Sequence, residues 1–94
     1  MVTFGDMERV LKWARSGNRR IIIEFVAYPY KMVIHKYIRA VDAEDKFVEW
    51  RRAFGPKPPH VVLTSLKIKR IVIIGPKGKT VLKSIDDLFD LVYK

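Results

Sequence analysis

Three groups of residues in this chain are of types that do chemistry. The first is Gly78-Lys79-Thr80, the ending of a phosphate-binding loop, in which glycines let backbone amides approach phosphate while the lysine reaches the terminal phosphoryl groups. Such a loop needs a further glycine five residues before Gly78, a position that holds Ile73. What remains, Gly75-Pro76-Lys77-Gly78-Lys79, has the composition of a hairpin turn, with glycines free to take positive φ and lysines in solvent. A nucleotide-binding loop is excluded, and Lys77 and Lys79 are left as candidate contacts to phosphate.

The second group is the titratable set. His35 and His60 are the only histidines, and they lack the paired spacing of a zinc site. Acid–base work on an RNA backbone requires the fold to bring them together; apart, each reads as an ordinary strand residue. Asp6, Glu8, Glu24, Asp42, Asp86 and Asp87 make no metal-nuclease pattern, and most fall in the first turns of expected helices, where negative charge is favourable. Glu24 lies instead in an apolar strand-like run, where a cross-strand pair with His35 or Arg39 is expected. The absence of cysteine excludes disulfides and thiolate metal sites. The expectation is no catalytic residue, no metal, no cofactor and no small-molecule substrate: a protein that is not an enzyme.

The third group is basic and aromatic. Between Lys31 and Val41, the residues His35, Tyr37, Arg39 and Val41 alternate with Ile34, Lys36, Ile38 and Ala40, which puts the first set on one face of a strand. Lys67 and Lys69 share a face further along. Rings stack on unpaired bases and cations hold phosphates, so His35, Tyr37, Arg39, Lys67, Lys69, Lys77 and Lys79 form the candidate nucleic-acid-binding set. A solvated sheet face accounts for the same alternation. Trp13 and Trp50, next to the apolar stripes of helices, read as core-edge residues rather than stacking platforms.

The elements that position these residues follow from pattern. Thr3 and Asp6 have capping-box spacing, and Met7, Val10, Leu11 and Ala14 make one helical stripe, predicting a helix from about residue 4 to Ser16, ended by Gly17. Arg19–Ala27 and Lys31–Val41 are rich in β-branched and aromatic residues and predict an antiparallel hairpin about Tyr28-Pro29-Tyr30. Asp42 is placed to cap a second helix reaching Phe54, although Lys46–Ala53 also fits a strand after a tight Ala43-Glu44-Asp45 turn. Pro56 to Pro59 is expected to be an extended connector. His60 to Ile74 is strand-like with an interruption near Thr64–Leu66, Gly75–Gly78 turns into a short strand, Lys79–Lys83, and Ser84 caps a last helix with Ile85, Leu88, Phe89 and Val92 on one face.

These elements predict one α+β domain over residues 1–94, in the order αββαββα, with a four-stranded, mainly antiparallel sheet and helices packed on one face. The alternative is a small SH3-like or Sm-like β-barrel with flanking helices. Ile21, Ile23 and Phe25 point to one side of the first strand while Ile22 and Val26 point to the other, so both faces of that strand call for cover.

The net charge of +9 is unevenly spread. Segments 19–41 and 56–83, read as strands and turns, carry +4 and +7, while the three helical segments sum to −2. Such a basic layer is the footprint of a polyanion partner, DNA or RNA, bound with counterion release. The leading expectation is a non-catalytic nucleic-acid-binding domain contacting the phosphate backbone; the alternative is a protein-interaction or homodimeric assembly module covering the apolar second face. One asparagine, no glutamine and plentiful Lys, Arg and Glu read as a thermophile composition. No apolar run approaches a membrane span and no secretory leader is evident, so a cytoplasmic protein without a membrane partner is expected.

Overall fold

The computed structural model describes residues 1–94. Its elements are α1 (Phe4–Ser16), β1 (Arg20–Phe25), β2 (Lys31–Ile34), β3 (Ile38–Val41), β4 (Phe47–Val48), α2 (Trp50–Phe54), α3 (Pro59–Ser65), β5 (Ile68–Gly75), β6 (Gly78–Leu82) and α4 (Ile85–Val92). The class is α+β as expected. The sheet has six strands rather than four, in the order β4-β3-β2-β1-β5-β6, with every neighbouring pair antiparallel. It has two free edges, so it is an open sheet and the barrel alternative falls.

Strand parity decides what lies under the helices. Ile21, Ile23 and Phe25 of β1, Met32 and Ile34 of β2, Ala40 of β3, and Ile71 and Ile73 of β5 are buried in one cluster with Met7, Val10 and Ala14 of α1, Phe54 of α2, Val62 and Leu63 of α3, and Leu88 of α4. All four helices therefore cover the same face. No helix is long and apolar enough to cross a membrane.

The helix ends follow the sequence where local signals are strong. At α1 the Thr3 hydroxyl accepts from the Asp6 amide (3.1 Å) and the Asp6 carboxylate accepts from the Thr3 amide (2.9 Å), a reciprocal cap that satisfies two donors the helix leaves free. At α4 the Ser84 hydroxyl accepts from the Asp87 amide. The β5–β6 hairpin turns at Gly75–Gly78, where Gly78 adopts φ 138°, a conformation costly to any residue with a Cβ.

Three expectations need correction. Lys31–Val41 is two strands rather than one, folded at His35-Lys36-Tyr37 so that Ile34 pairs with Ile38; a three-residue turn preserves parity, and Arg39 and Val41 keep the predicted face. The helix expected from Asp42 is confined to Trp50–Phe54. The Asp42 carboxylate instead accepts from the amides of Glu44 (2.9 Å) and Lys46 (3.0 Å), closing a β3–β4 turn of the kind that aspartate favours over helix, and Asp45 takes φ 63° within it. This is the tight turn of the rival reading, followed by two strand residues. Finally, residues 60–65 belong to α3 and not to a strand. Pro59 stands at the first helical position with Pro58 extended before it, and proline's fixed φ starts a helix there; this local signal prevails over the β-branched Val61 and Val62, and only 56–58 remains a connector.

Candidate nucleic-acid interface

The sheet's uncovered face is built from residues of the other parity. Arg39, Val33, Ile22, Val72 and Val81 lie in register across five strands, and Arg20, Ile74 and Lys79 form the next row. An apolar row thus crosses the middle of this face, with cations beside it. Ile74 and Val81 are 44% and 56% exposed, so nothing in the chain covers the strip towards β6.

The same register brings three distant segments to one end of the sheet, called here the Arg20 end. The C-terminus of α1 enters β1 at Arg20, the β2–β3 turn lies beside it because Ile21 pairs with Ile34, and the β5–β6 turn lies on the other side because Arg20 pairs with Ile74. Segments 15–20, 34–39 and 74–79 contain Arg15, Arg19, Arg20, Lys36, Arg39, Lys77 and Lys79, seven cations and no carboxylate.

Several of these side chains are held by groups other than acids. Arg19 Nη1 donates to the Trp13 carbonyl at 2.7 Å, and its guanidinium lies 4.0 Å from the Trp13 ring centroid. A side chain at Gly17 would occupy the space this guanidinium fills, so that glycine seats Arg19 as well as ending α1. Arg15 Nε donates to the Lys36 carbonyl at 2.7 Å, and the His35 ring hydrogen-bonds the Arg19 carbonyl through Nδ1 at 2.8 Å. Both contacts tie the β2–β3 turn to the helix end. Arg39 lies 5.5 Å from the Tyr37 ring centroid and 5.0 Å from that of Phe47.

Two depressions open here. One, of about 290 Å³, is lined by Arg20, Val33, His35, Lys36, Tyr37, Arg39 and Phe47. The other, of about 500 Å³, lies at the β5–β6 turn against Trp13, Arg19, Ile73, Lys77 and Lys79.

Five of the seven candidate residues, His35, Tyr37, Arg39, Lys77 and Lys79, therefore gather at the Arg20 end. Lys67 and Lys69 do not. Lys69 falls where the β1–β5 register shifts between Glu24 and Phe25, which breaks the alternation that put it on a face with Lys67, and about 17 Å of strand separates it from Ile74, the partner of Lys79. Its surroundings at this opposite, Phe25 end are mixed: segments 24–31, 41–47, 67–70 and 82–83 hold six cations and four carboxylates. Three ion pairs form there, Lys31–Asp45 (3.1 Å), Arg70–Glu24 (2.8 Å) and Lys46–Glu44 (4.0 Å). Glu24 thus pairs with Arg70 on β5, not with His35 or Arg39 across the hairpin, because Glu24 and Arg70 are directly opposed.

The two histidines stand far apart. His60 packs edge-on against Phe4 at the start of α1, and His35 binds beyond its other end, with about 20 Å of helix between. Trp13 and Trp50 pack against the core margin, as expected. The sequence reading missed Arg15, Arg19, Arg20, Lys36 and Phe47. The Arg19-Arg20 pair before the first strand was a usable signal, whereas Phe47 falls within the span expected to be helix from Asp42, of which only Trp50–Phe54 is helical. Comparison with known proteins finds no matching family model, curated protein or solved structure.

Proposed function

We propose that this protein is a non-catalytic nucleic-acid-binding domain that holds the phosphate backbone of DNA or RNA at the Arg20 end of its sheet. The observation that carries the reading is the convergence of seven cations from three separate segments without one carboxylate among them. Like charges so placed repel one another, and no acid of these segments offsets them. A polyanion neutralises them and releases its counterions in doing so. The anchoring of Arg15, Arg19 and Arg39 to carbonyls and rings supports the same reading, since side chains held by the scaffold lose less freedom on binding.

Anisotropy titrations of a labelled oligonucleotide at increasing potassium chloride test this. The expected result is an affinity that falls log-linearly with salt, with a slope of about −3 to −5 if four to seven phosphates of a single strand are neutralised. A flat dependence rejects backbone neutralisation.

The apolar strip of Ile22, Val72, Ile74 and Val81 favours a second reading, a homodimer or protein partner seated on the open face. Light scattering separates the two: a salt-resistant dimer at low micromolar concentration supports assembly, and a monomer that shifts oligonucleotide supports the first reading.

A further inference from the structure

We infer that the depression at the β2–β3 turn takes an unpaired base, so that the ligand of this interface is single-stranded nucleic acid rather than duplex. The inference rests on the proposed function and adds to it the form of the ligand. Tyr37 and Phe47 are 62% and 63% exposed, and two aromatic rings left this open at one depression gain little from burial. Arg39 lies between them, within cation–π range of both, and Arg15 approaches Tyr37 at 5.8 Å from the helix side. Rings and guanidinium planes thus alternate from Phe47 through Arg39 and Tyr37 to Arg15, and every member is a surface on which a flat heterocycle stacks.

Size and charge point the same way. About 290 Å³ lies at or below the roughly 300–1,000 Å³ of pockets for drug-sized ligands, which is room for one base with its sugar. Arg20 and Lys36 also line it and supply cations for the phosphates that adjoin that base. In a duplex the base faces are already stacked on one another, and only the phosphates can reach these residues; an unpaired base has a free face to offer. Stacking of this kind tolerates any base, so the site discriminates by strandedness and not by sequence.

The test compares wild type with the Tyr37→Leu/Phe47→Leu double variant, and separately with Lys77→Gln/Lys79→Gln, on a single-stranded oligonucleotide and a duplex of equal length at one ionic strength. Wild type should bind the single strand about tenfold or more tighter than the duplex, and the leucine variant should lose about tenfold on the single strand alone. The glutamine variant should weaken both ligands to a similar extent. Because Tyr37 and Phe47 are exposed, the leucine variant should melt close to wild type. A Tyr37→Trp variant gives an independent readout: its fluorescence should be quenched by a single strand and not by a duplex. Equal affinity for both ligands, or unchanged single-strand affinity in the leucine variant, overturns the base site while leaving backbone binding intact. Absence of binding to either ligand at low salt overturns both.

Discussion

The two ends of the sheet are made from the same strands and treat charge in opposite ways. At the Phe25 end, cations face carboxylates: Arg70 meets Glu24, Lys31 meets Asp45 and Lys46 meets Glu44. At the Arg20 end, seven cations meet backbone carbonyls, aromatic rings and solvent. Exposed ion pairs contribute little to stability, at most about 1 kcal/mol each, so the pairing at one end is not what makes the fold. Its effect is to cancel a field. Where cancellation is absent, the field remains available to a partner, and the positions of the acids, more than those of the bases, distinguish the two ends.

Charge reversal should break this comparison most visibly. Arg39→Glu combined with Lys79→Glu at the Arg20 end is expected to weaken oligonucleotide binding by about 100-fold and to lower the magnitude of the salt slope by about 2. The same reversal at Lys67 and Lys69 should change affinity by less than about threefold, since about 17 Å of strand separates Lys69 from Ile74, and salt screens exposed charges over about 10 Å at 0.1 M. Anisotropy titrations of the two variants check it directly.

The next effect is on stability. Arg19→Ala removes the hydrogen bond to the Trp13 carbonyl and the cation–π contact with its ring, and should cost about 1–2 kcal/mol in denaturant unfolding. Lys31→Ala at the other end removes a pair with the exposed Asp45 and should cost less than about 1 kcal/mol. The end without ion pairs is thus expected to be the better anchored of the two.

The smallest expected effect is pH dependence, and it belongs to the Phe25 end. Hydrogen bonds from the Lys46 and Glu44 amides, weighed against burial, hold Asp42 below the usual carboxylate value of 3.8. A carboxylate depressed in the folded state stabilises it above the unfolded value, and that contribution is lost as pH falls through the folded one. Amide exchange at Glu44 and Lys46, corrected for its intrinsic acid dependence, should therefore accelerate below about pH 4. The turn amides of Gly75–Gly78, in a segment without carboxylates, should show no such acceleration.

How much of this was legible in the sequence depended on whether the deciding interaction was local. The capping box at Thr3, the glycines of the last hairpin and the Ser84 cap act within a few residues, and their elements formed as read. Asp42 was ambiguous because an aspartate caps a helix and closes a turn with the same carboxylate, and only the pairing of Phe47 with Val41 resolves it. His60–Ser65 was misread because two valines outweighed a proline at the first helical position. For the site, strand parity was readable and put Arg39 on the open face, and that parity survived an unforeseen turn at residues 35–37. Which end of the sheet each cation occupies was not readable, because it follows from strand order: β5 lies against β1, and so Lys79 joins Arg20 while Lys67 and Lys69 go to the opposite end.

Backbone amide shifts recorded while a short single-stranded oligonucleotide is added to the labelled protein test this account most directly. The perturbed residues should cluster at Arg19–Arg20, His35–Arg39 and Gly75–Lys79, with Lys67–Arg70 and Asp42–Lys46 unmoved. Shifts centred on Lys67–Arg70, or scattered over the whole surface, would contradict it.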